Sequence, residues 1–407
     1  MAGTDRGDLT RTAILTLLGT VGPLSRTEIA RELDLSSALV TQVTRELIGH
    51  GMLEELDLKP SRGGRPAQRL GLVGTAGRAL GVKVTAERLV IVDVRLDGEV
   101  LGSWERPFDP SAAGALDDLA DAMAATVAAV DQTPPILGVG VGVPGGVDDQ
   151  AVGTVNAPTL GWQAMPVGER LRRRLDLPVL VENDVNALAA AERLYGTGRT
   201  HRDFLVLTIG RGVGAAIVAE GRVYRGARGG AGEFGHVPVD PSGPRCGCGT
   251  AGCLEAFVGA AGLVAAARAR GLLADRAAAA GDLPGAVAEL GRAAAAGDRE
   301  ALAVFAEAGA VLGRATAGLI NVVDPEVVVV LGEGVAEWEF WRAEFDSAVR
   351  GRLLPGRRDI PIEVEGWDDT SWAQGAAALV LATPFDAAGA AGEQGRLVRA
   401  RLIGATP

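Results

Sequence analysis

The sequence predicts an α/β protein built as a small N-terminal helical module with a β-hairpin, followed by two lobes in which strands alternate with helices. Three observations carry that expectation. Two short, well-punctuated helices precede a basic hairpin within the first 75 residues. From about residue 78, runs rich in Val, Ile and Leu end repeatedly in glycine turns and give way to Ala-rich helical stretches. Finally, "RCGCGTAGCLE", residues 245–255, holds all three cysteines of a 407-residue chain.

At 47% hydrophobic residues the chain has material for two or three proper cores. No uninterrupted apolar run approaches the roughly 20 residues of a membrane helix, and "MAGTDRGDLTRTAILTLLG" lacks the layout of a secretory signal, so a cytoplasmic protein with no membrane partner is expected. The net charge of -11 argues against nucleic acid as a partner, but the average misleads. Residues 1–72 carry nine basic and nine acidic side chains, and Lys59, Arg62, Arg65 and Arg69 form a stretch with no acid between 58 and 72.

In "LSRTEIARELDLSSALVTQVTRELIGHGMLEEL", Ser25 and Glu28 stand at capping-box spacing and start a first helix with Ile29, Ala30 and Leu33 on its buried stripe. Ser36 caps a second helix, on which Leu39 or Val40, Val43 and Leu47 face inward. That leaves Ser37, Ala38, Thr41, Gln42 and Arg45 outward: short, polar or cationic side chains suited to reading base edges in a major groove. Gly49 and Gly51 end the helix. "MLEELDLKPSRGGRPAQRLGL" then reads as strand, basic loop and returning strand, with Arg62 and Arg65 on a tip small enough for a minor groove. This segment resembles the winged helix-turn-helix of bacterial transcription regulators and, followed by "SRGGRP", the N-terminus of repressors in the ROK family (repressors, open reading frames and sugar kinases).

Downstream, "ALGVKVTAERLVIVDVRLDGEVLGSWERPF" reads as three strands, followed by a helix over 113–130. "ILGVGVGVPGGV", "PVLVEND", "DFLVLTIGRGVGAAIVAEGRVY" and "VVVVLGEGV" are further strands ending in Gly-rich turns. The order resembles the two-lobed actin/hexokinase-like (ribonuclease H-like) fold, with a ligand cleft between lobes. The expected divisions are a winged module over 1–75, lobe 1 over 78–195 completed by a helix at about 371–383, lobe 2 over 196–370, and an unassigned Gly/Ala-rich tail over 384–407.

Cys246, Cys248 and Cys253 are too close in sequence for pairing with one another, and "GEFGHVPV" places His236 ten residues before the first. Three Cys and one His make a tetrahedral structural zinc set, with glycines at 247, 249 and 252 suited to wrapping a metal. "EFGH" with "CGCGTAGCLE" is similar to the hallmark of the ROK family, which implies zinc on these four residues. By the same resemblance, Asn156, Asn183, Asp184, Glu233, His236 and Glu255 contact a sugar, and Asp184 of "END" stands where ROK kinases keep the general base.

The phosphate motifs depart from the kinases. Where kinases carry DxGxT, "GVKVTAERL" holds Lys83, Thr85 and Glu87, so a metal-organising carboxylate is replaced by a cation. "TIGRGVGAA" keeps Gly210, Gly212 and Gly214 but inserts Arg211. The resemblance therefore implies a sugar-responsive DNA-binding regulator, not an enzyme, with a decayed ATP site, double-stranded operator DNA as partner, a sugar or sugar phosphate as effector, and a homodimer or homotetramer as its assembly. An ATP-dependent sugar kinase with an added DNA-binding module is the alternative.

Overall fold

A sixteen-residue helix, α1 (Arg6–Val21), opens the chain and buries Thr12, Ile14, Leu15 and Leu18. The computed structural model describes residues 6–59, 67–273, 282–368, 370–386 and 391–402. Two compact units divide the chain: Met1–Thr200 with Ala227–Gly230 and Asp369–Pro407, and His201–Gly226 with Ala231–Asp368.

In the first unit, strand β1 (Leu24–Ser25) leads into α2 (Arg26–Glu32), whose N-terminus is closed by the expected capping box: Glu28 N donates to Ser25 Oγ at 3.3 Å, and Ser25 N to Glu28 Oε2 at 2.9 Å. Leu33 is the C-cap of this helix and only half-buried. Helix α3 (Ser37–Gly49) is capped by Ser36 and buries Val40, Val43, Thr44 and Leu47, which settles the inward position on Val40 over Leu39. Strands β2 (Leu53–Lys59) and β3 (Ala67–Leu72) pair antiparallel, and β1 pairs on the other side of β3. The loop between β2 and β3, with Arg62 and Arg65, lies outside the described residues.

The larger sheet of this unit has the order β11-β7-β4-β5-β6. Its strands β4 (Arg78–Val84), β5 (Arg88–Arg95) and β6 (Val100–Pro107) form the expected antiparallel meander, and α4 (Ala115–Ala129) follows. Strand β7 (Ile136–Val143) runs parallel to β4. Short strands β8 (Gly146–Val147), β9 (Thr154–Ala157) and β10 (Trp162–Pro166) make a separate ribbon before α5 (Val167–Leu175). Strand β11 (Val179–Asn183), parallel to β7, runs directly into α6 (Asp184–Leu194). Strands covered on both faces are buried along their whole length, as β4 and β7 are, and in β4 that burial takes in Arg78, paired with Asp93, and Lys83, paired with Asp184.

The second unit has a sheet of order β14-β13-β12-β15-β16. Strands β12 (Phe204–Ile209) and β13 (Val213–Ala219) form a hairpin extended by β14 (Arg222–Val223). Helices α7 (Glu255–Val258), α8 (Ala260–Ala269), α9 (Leu283–Ala295) and α10 (Arg299–Val323) follow, then β15 (Val327–Leu331), α11 (Trp338–Arg350) and β16 (Ile362–Val364). By length and composition α10 could cross a membrane. It instead presents Ala301, Val304, Phe305, Ala308, Leu312 and Ile320 to the unit's core, where the Phe305 and Trp341 rings lie 5.8 Å apart. The spacing of those residues is the helical stripe of a core helix.

Two C-terminal helices return to the first unit. Helix α12 (Ser371–Leu381) packs on β4, β7 and α6, and α13 (Gly392–Leu402) buries Gln394, Val398 and Leu402. Between them the turn Thr383–Phe385 packs against α1. A Cβ placed on Gly19 of α1 would lie 3.3 Å from the Phe385 ring. One apolar core thus runs from Ile14, Val40 and Leu47 through Ala79 and Val92 to Ala377, Phe385 and Leu402. From the tail after residue 383, Phe385, Ala391, Val398 and Leu402 belong to it.

Candidate functional site

On α3, Ser37, Ala38, Gln42 and Arg45 are exposed and Thr41 is half-buried, its hydroxyl donating to Ser37 O at 2.7 Å. The helix is held from behind. Arg26 Nε donates to the buried Thr44 hydroxyl at 3.0 Å, and its guanidinium bridges to Glu55 at 2.9 Å, while Arg11 of α1 pairs with Glu46 at 3.0 Å. A recognition helix that keeps its short polar face outward and its back pinned to α1 and β2 has the geometry for a groove.

At the carboxyl ends of β4 and β11, where open α/β sheets bind ligands, the first unit gathers Lys83, Asn183 and Asp184. Asn183 caps α6: its Oδ1 accepts from Val185 N at 3.0 Å and Asn186 N at 3.2 Å, and its Nδ2 donates to Gly145 O at 3.1 Å. Asp184, the first residue of α6, sits where the helix dipole favours a carboxylate. Its Oδ1 accepts from Val185 N at 2.9 Å, and its Oδ2 is ion-paired with Lys83 Nζ. Asn156 is exposed, with Oδ1 accepting from Ala164 N at 2.9 Å.

Thr85 is equally committed. Its Oγ1 accepts from Arg88 N at 3.0 Å and Glu87 N at 3.3 Å and donates to Arg88 O at 2.8 Å, tying the β4–β5 turn rather than facing a phosphate. Glu87 is exposed in that turn. In the second unit, Gly210 N donates to Gly212 O at 3.0 Å in the β12–β13 turn, and the Glu333 carboxylate lies against Gly210, where a Cβ would strike Oε2. An acid against a glycine turn repels the phosphate such a turn otherwise cradles.

Also in the second unit, His236, Cys246, Cys248 and Cys253 converge, with their ligand atoms all within 4.8 Å of one another. Cys246 Sγ is 3.6 Å from His236 Nδ1, and Cys248 Sγ is 3.7 Å from Cys253 Sγ. Isolated antiparallel bridges, Pro238 to Cys253 and Arg245 to Ala251, fold the loop back on itself. Gly252 has φ +75°, and a side chain there would run into Asp240 O, so only glycine serves. Burial pushes the Cys246 thiol up to about 11, whereas the Thr250 hydroxyl, 3.1 Å from Cys248 Sγ, holds that thiol down at about 6. The donor set fits a tetrahedral metal ion. With Nδ1 turned to the thiols, His236 Nε2 faces Glu233 Oε2 at 3.8 Å. Glu255, at the start of α7, accepts from Val213 N at 3.0 Å through Oε2.

Fold and site together define a class: a helix-turn-helix module followed by an α/β part that carries a buried Lys83–Asp184 pair at its strand ends and a His/Cys cluster. Residues 80–383 match the ROK family and residues 8–59 the MarR family. The chain belongs to the ROK family. It is 30% identical over 376 residues to the DNA-binding transcriptional dual regulator NagC of Escherichia coli K12, covering 91% of this chain and 92% of that one. With the xylose repressor of Caldicellulosiruptor bescii it shares 28% over 365 residues, 88% and 92% of the two chains. Among solved structures, a ROK family transcriptional regulator homologous to the E. coli MLC protein superposes with TM-score 0.79 at 27% identity, over 98% of this chain and 99% of that one. The ROK glucokinase of Streptomyces griseus, in complex with glucose and AMPPNP, gives 0.64 at 30% identity, over 74% and 99%.

Proposed function

We propose that this chain is a cytoplasmic, sugar-responsive DNA-binding regulator, a repressor of carbohydrate-metabolism genes, and that it does not transfer phosphate. The observation that carries the reading is the ion pair of Lys83 with Asp184. A carboxylate with Oδ2 on an ammonium and Oδ1 on a backbone N–H is a poor base for a sugar hydroxyl, and the same lysine stands where the kinase motif keeps its metal-organising acid. Thr85, tied into its own turn, and Glu333, set against Gly210, weaken the phosphate side further. Asn156, Asn183, Asp184, Glu233, His236 and Glu255 are the proposed sugar contacts. Ser37, Thr41, Gln42, Arg45, Arg62 and Arg65 are the proposed DNA contacts.

The protein would act as a homodimer or homotetramer on operator half-sites. Sugar binding shifts DNA affinity by linkage, and a coupling of about 1–3 kcal/mol gives roughly a 5- to 150-fold switch. A zinc ion on His236, Cys246, Cys248 and Cys253 would close the loop and fix the His236 ring, leaving Nε2 for a sugar hydroxyl.

The test is fluorescence anisotropy of the purified protein on DNA from upstream of its own gene, with glucose, xylose and N-acetylglucosamine titrated in. Salt-sensitive binding that one sugar shifts is the expected result. Failure to bind that DNA, together with ADP production from Mg-ATP and a hexose at enzyme rates, would put the sugar-kinase reading in its place, which the likeness to the glucokinase favours. Two variants refine the assignment. Arg62→Ala with Arg65→Ala is expected to weaken binding and flatten its salt dependence by about two phosphate equivalents, and an unchanged slope removes the wing from the interface. Glu233→Gln is expected to abolish the sugar response while sparing DNA binding; loss of both would make Glu233 a structural residue.

A further inference from the structure

Lys83 is 7% exposed and Asp184 8%. The ammonium is held on one side by Asp184 Oδ2 and on another by the ring of Trp372, in the first turn of α12, whose centre lies 4.5 Å from Nζ. An ammonium has three N–H donors. One meets Asp184, and among the described residues no other acceptor oxygen meets Lys83. A nearly buried cation with donors to spare, next to a carboxylate oxygen with a lone pair to spare, is half of a recognition site.

The chemical group that completes it must accept from an ammonium and donate to a carboxylate at once. A hydroxyl does both. A phosphate monoester accepts only, brings about -1.5 to -2 charges against Asp184, and leaves that carboxylate with no donor. A carboxylate ligand fails for the same reason.

We propose that Lys83 and Asp184 together clamp one hydroxyl of an unphosphorylated sugar, with Lys83 donating to the hydroxyl oxygen and Asp184 the residue that disfavours the phosphate ester. The proposal deepens the effector reading above and rests on it for the identity of the ligand as a sugar. In a kinase the hydroxyl at such an acid is activated by losing its proton. Here the hydroxyl oxygen receives a proton donor from Lys83, so the residue that disables the chemistry is the one that tightens the binding.

Titration calorimetry on the full-length protein tests it, with glucose, xylose and N-acetylglucosamine set against glucose 6-phosphate, xylose 5-phosphate and N-acetylglucosamine 6-phosphate. One free sugar is expected to bind at least about tenfold more tightly than its phosphate, and Lys83→Met to weaken that sugar by about 10- to 100-fold, the worth of a charged hydrogen bond. A phosphate ester that binds more tightly than its sugar, or undiminished sugar affinity in Lys83→Met, overturns the clamp.

Removing Lys83 alone strands a buried carboxylate. Should Lys83→Met not fold, Lys83→Met with Asp184→Asn is compared with Asp184→Asn alone: a further loss in the double variant supports the clamp, and equal affinities overturn it. DNA binding separates the two levels. Sugar binding that leaves DNA affinity unchanged removes the regulator reading and leaves the clamp standing. A DNA response at the same sugar concentration in the unaltered protein and in Lys83→Met removes the clamp and leaves the regulator. No binding of any of the six compounds removes both.

Discussion

The protein purified from cells is expected to carry about one zinc ion per chain, and Cys253→Ala to carry none. Cys246 and Cys253 are 7% and 2% exposed, and burial raises the Cys246 thiol to about 11, so a thiolate there is unfavourable unless a cation offsets it. A divalent ion among three sulfurs and one imidazole supplies that offset, and apparent binding energies for such sites are about 10–16 kcal/mol at neutral pH. Without it the loop from 236 to 253 has two isolated bridges and a few turn hydrogen bonds to hold it. Metal analysis and thermal melting with and without a chelator give the readout: loss of zinc with a lower melting temperature. Because the ligands must shed protons to bind, metal retention should fall as the pH falls. Unchanged zinc content in Cys253→Ala would end the assignment.

Gly140→Ala is expected to cost at least about 3 kcal/mol, at the upper end for overpacking. Helix α12 crosses β4 and β7 without the usual spacing of side chains. A Cβ on Gly140 would collide with Ala376 O, and one on Gly81 with Ala373 O and Ala377 N. These are backbone atoms of a buried helix and cannot swing aside as a side chain tip would. The helix must lift, and Trp372 above Lys83 lifts with it. Urea unfolding measures the loss; a destabilisation below about 1 kcal/mol would mean that α12 slides without resistance.

Much of this was legible in the sequence because it is local. Ser25 with Glu28, Ser36, and the alternation of apolar residues with glycine turns are signals read within a few residues, and the capped helices and strands fall where they point. The thiols and His236 lie within eighteen positions, so their convergence needed only a turn. What escaped was weak in pattern or distant in sequence. Helix α1 interleaves four Thr and two Gly with its apolar residues, and α13, "GEQGRLVRARL", looks polar because Val398 and Leu402 are the apolar side chains among those it buries. Lys83 could be read as damage to a phosphate motif, but its partner stands 101 residues away and its aromatic neighbour nearly three hundred, and no local spacing announces either.

The return of residues 370–402 to the first unit sets the order of synthesis against the order of completion. A ribosome delivers the second unit between residues 201 and 368, broken only by Ala227–Gly230, so that unit has all its chain before the first unit does, and domains generally fold as units while they emerge. The first unit starts sooner and finishes last: the face of β4 and β7 that α12 covers, and the side of α1 that meets Phe385, stay bare until the final forty residues are made. The nascent chain therefore passes through a stage in which α3 already rests on α1 and β2 while the side of α1 that meets Phe385 is still uncovered.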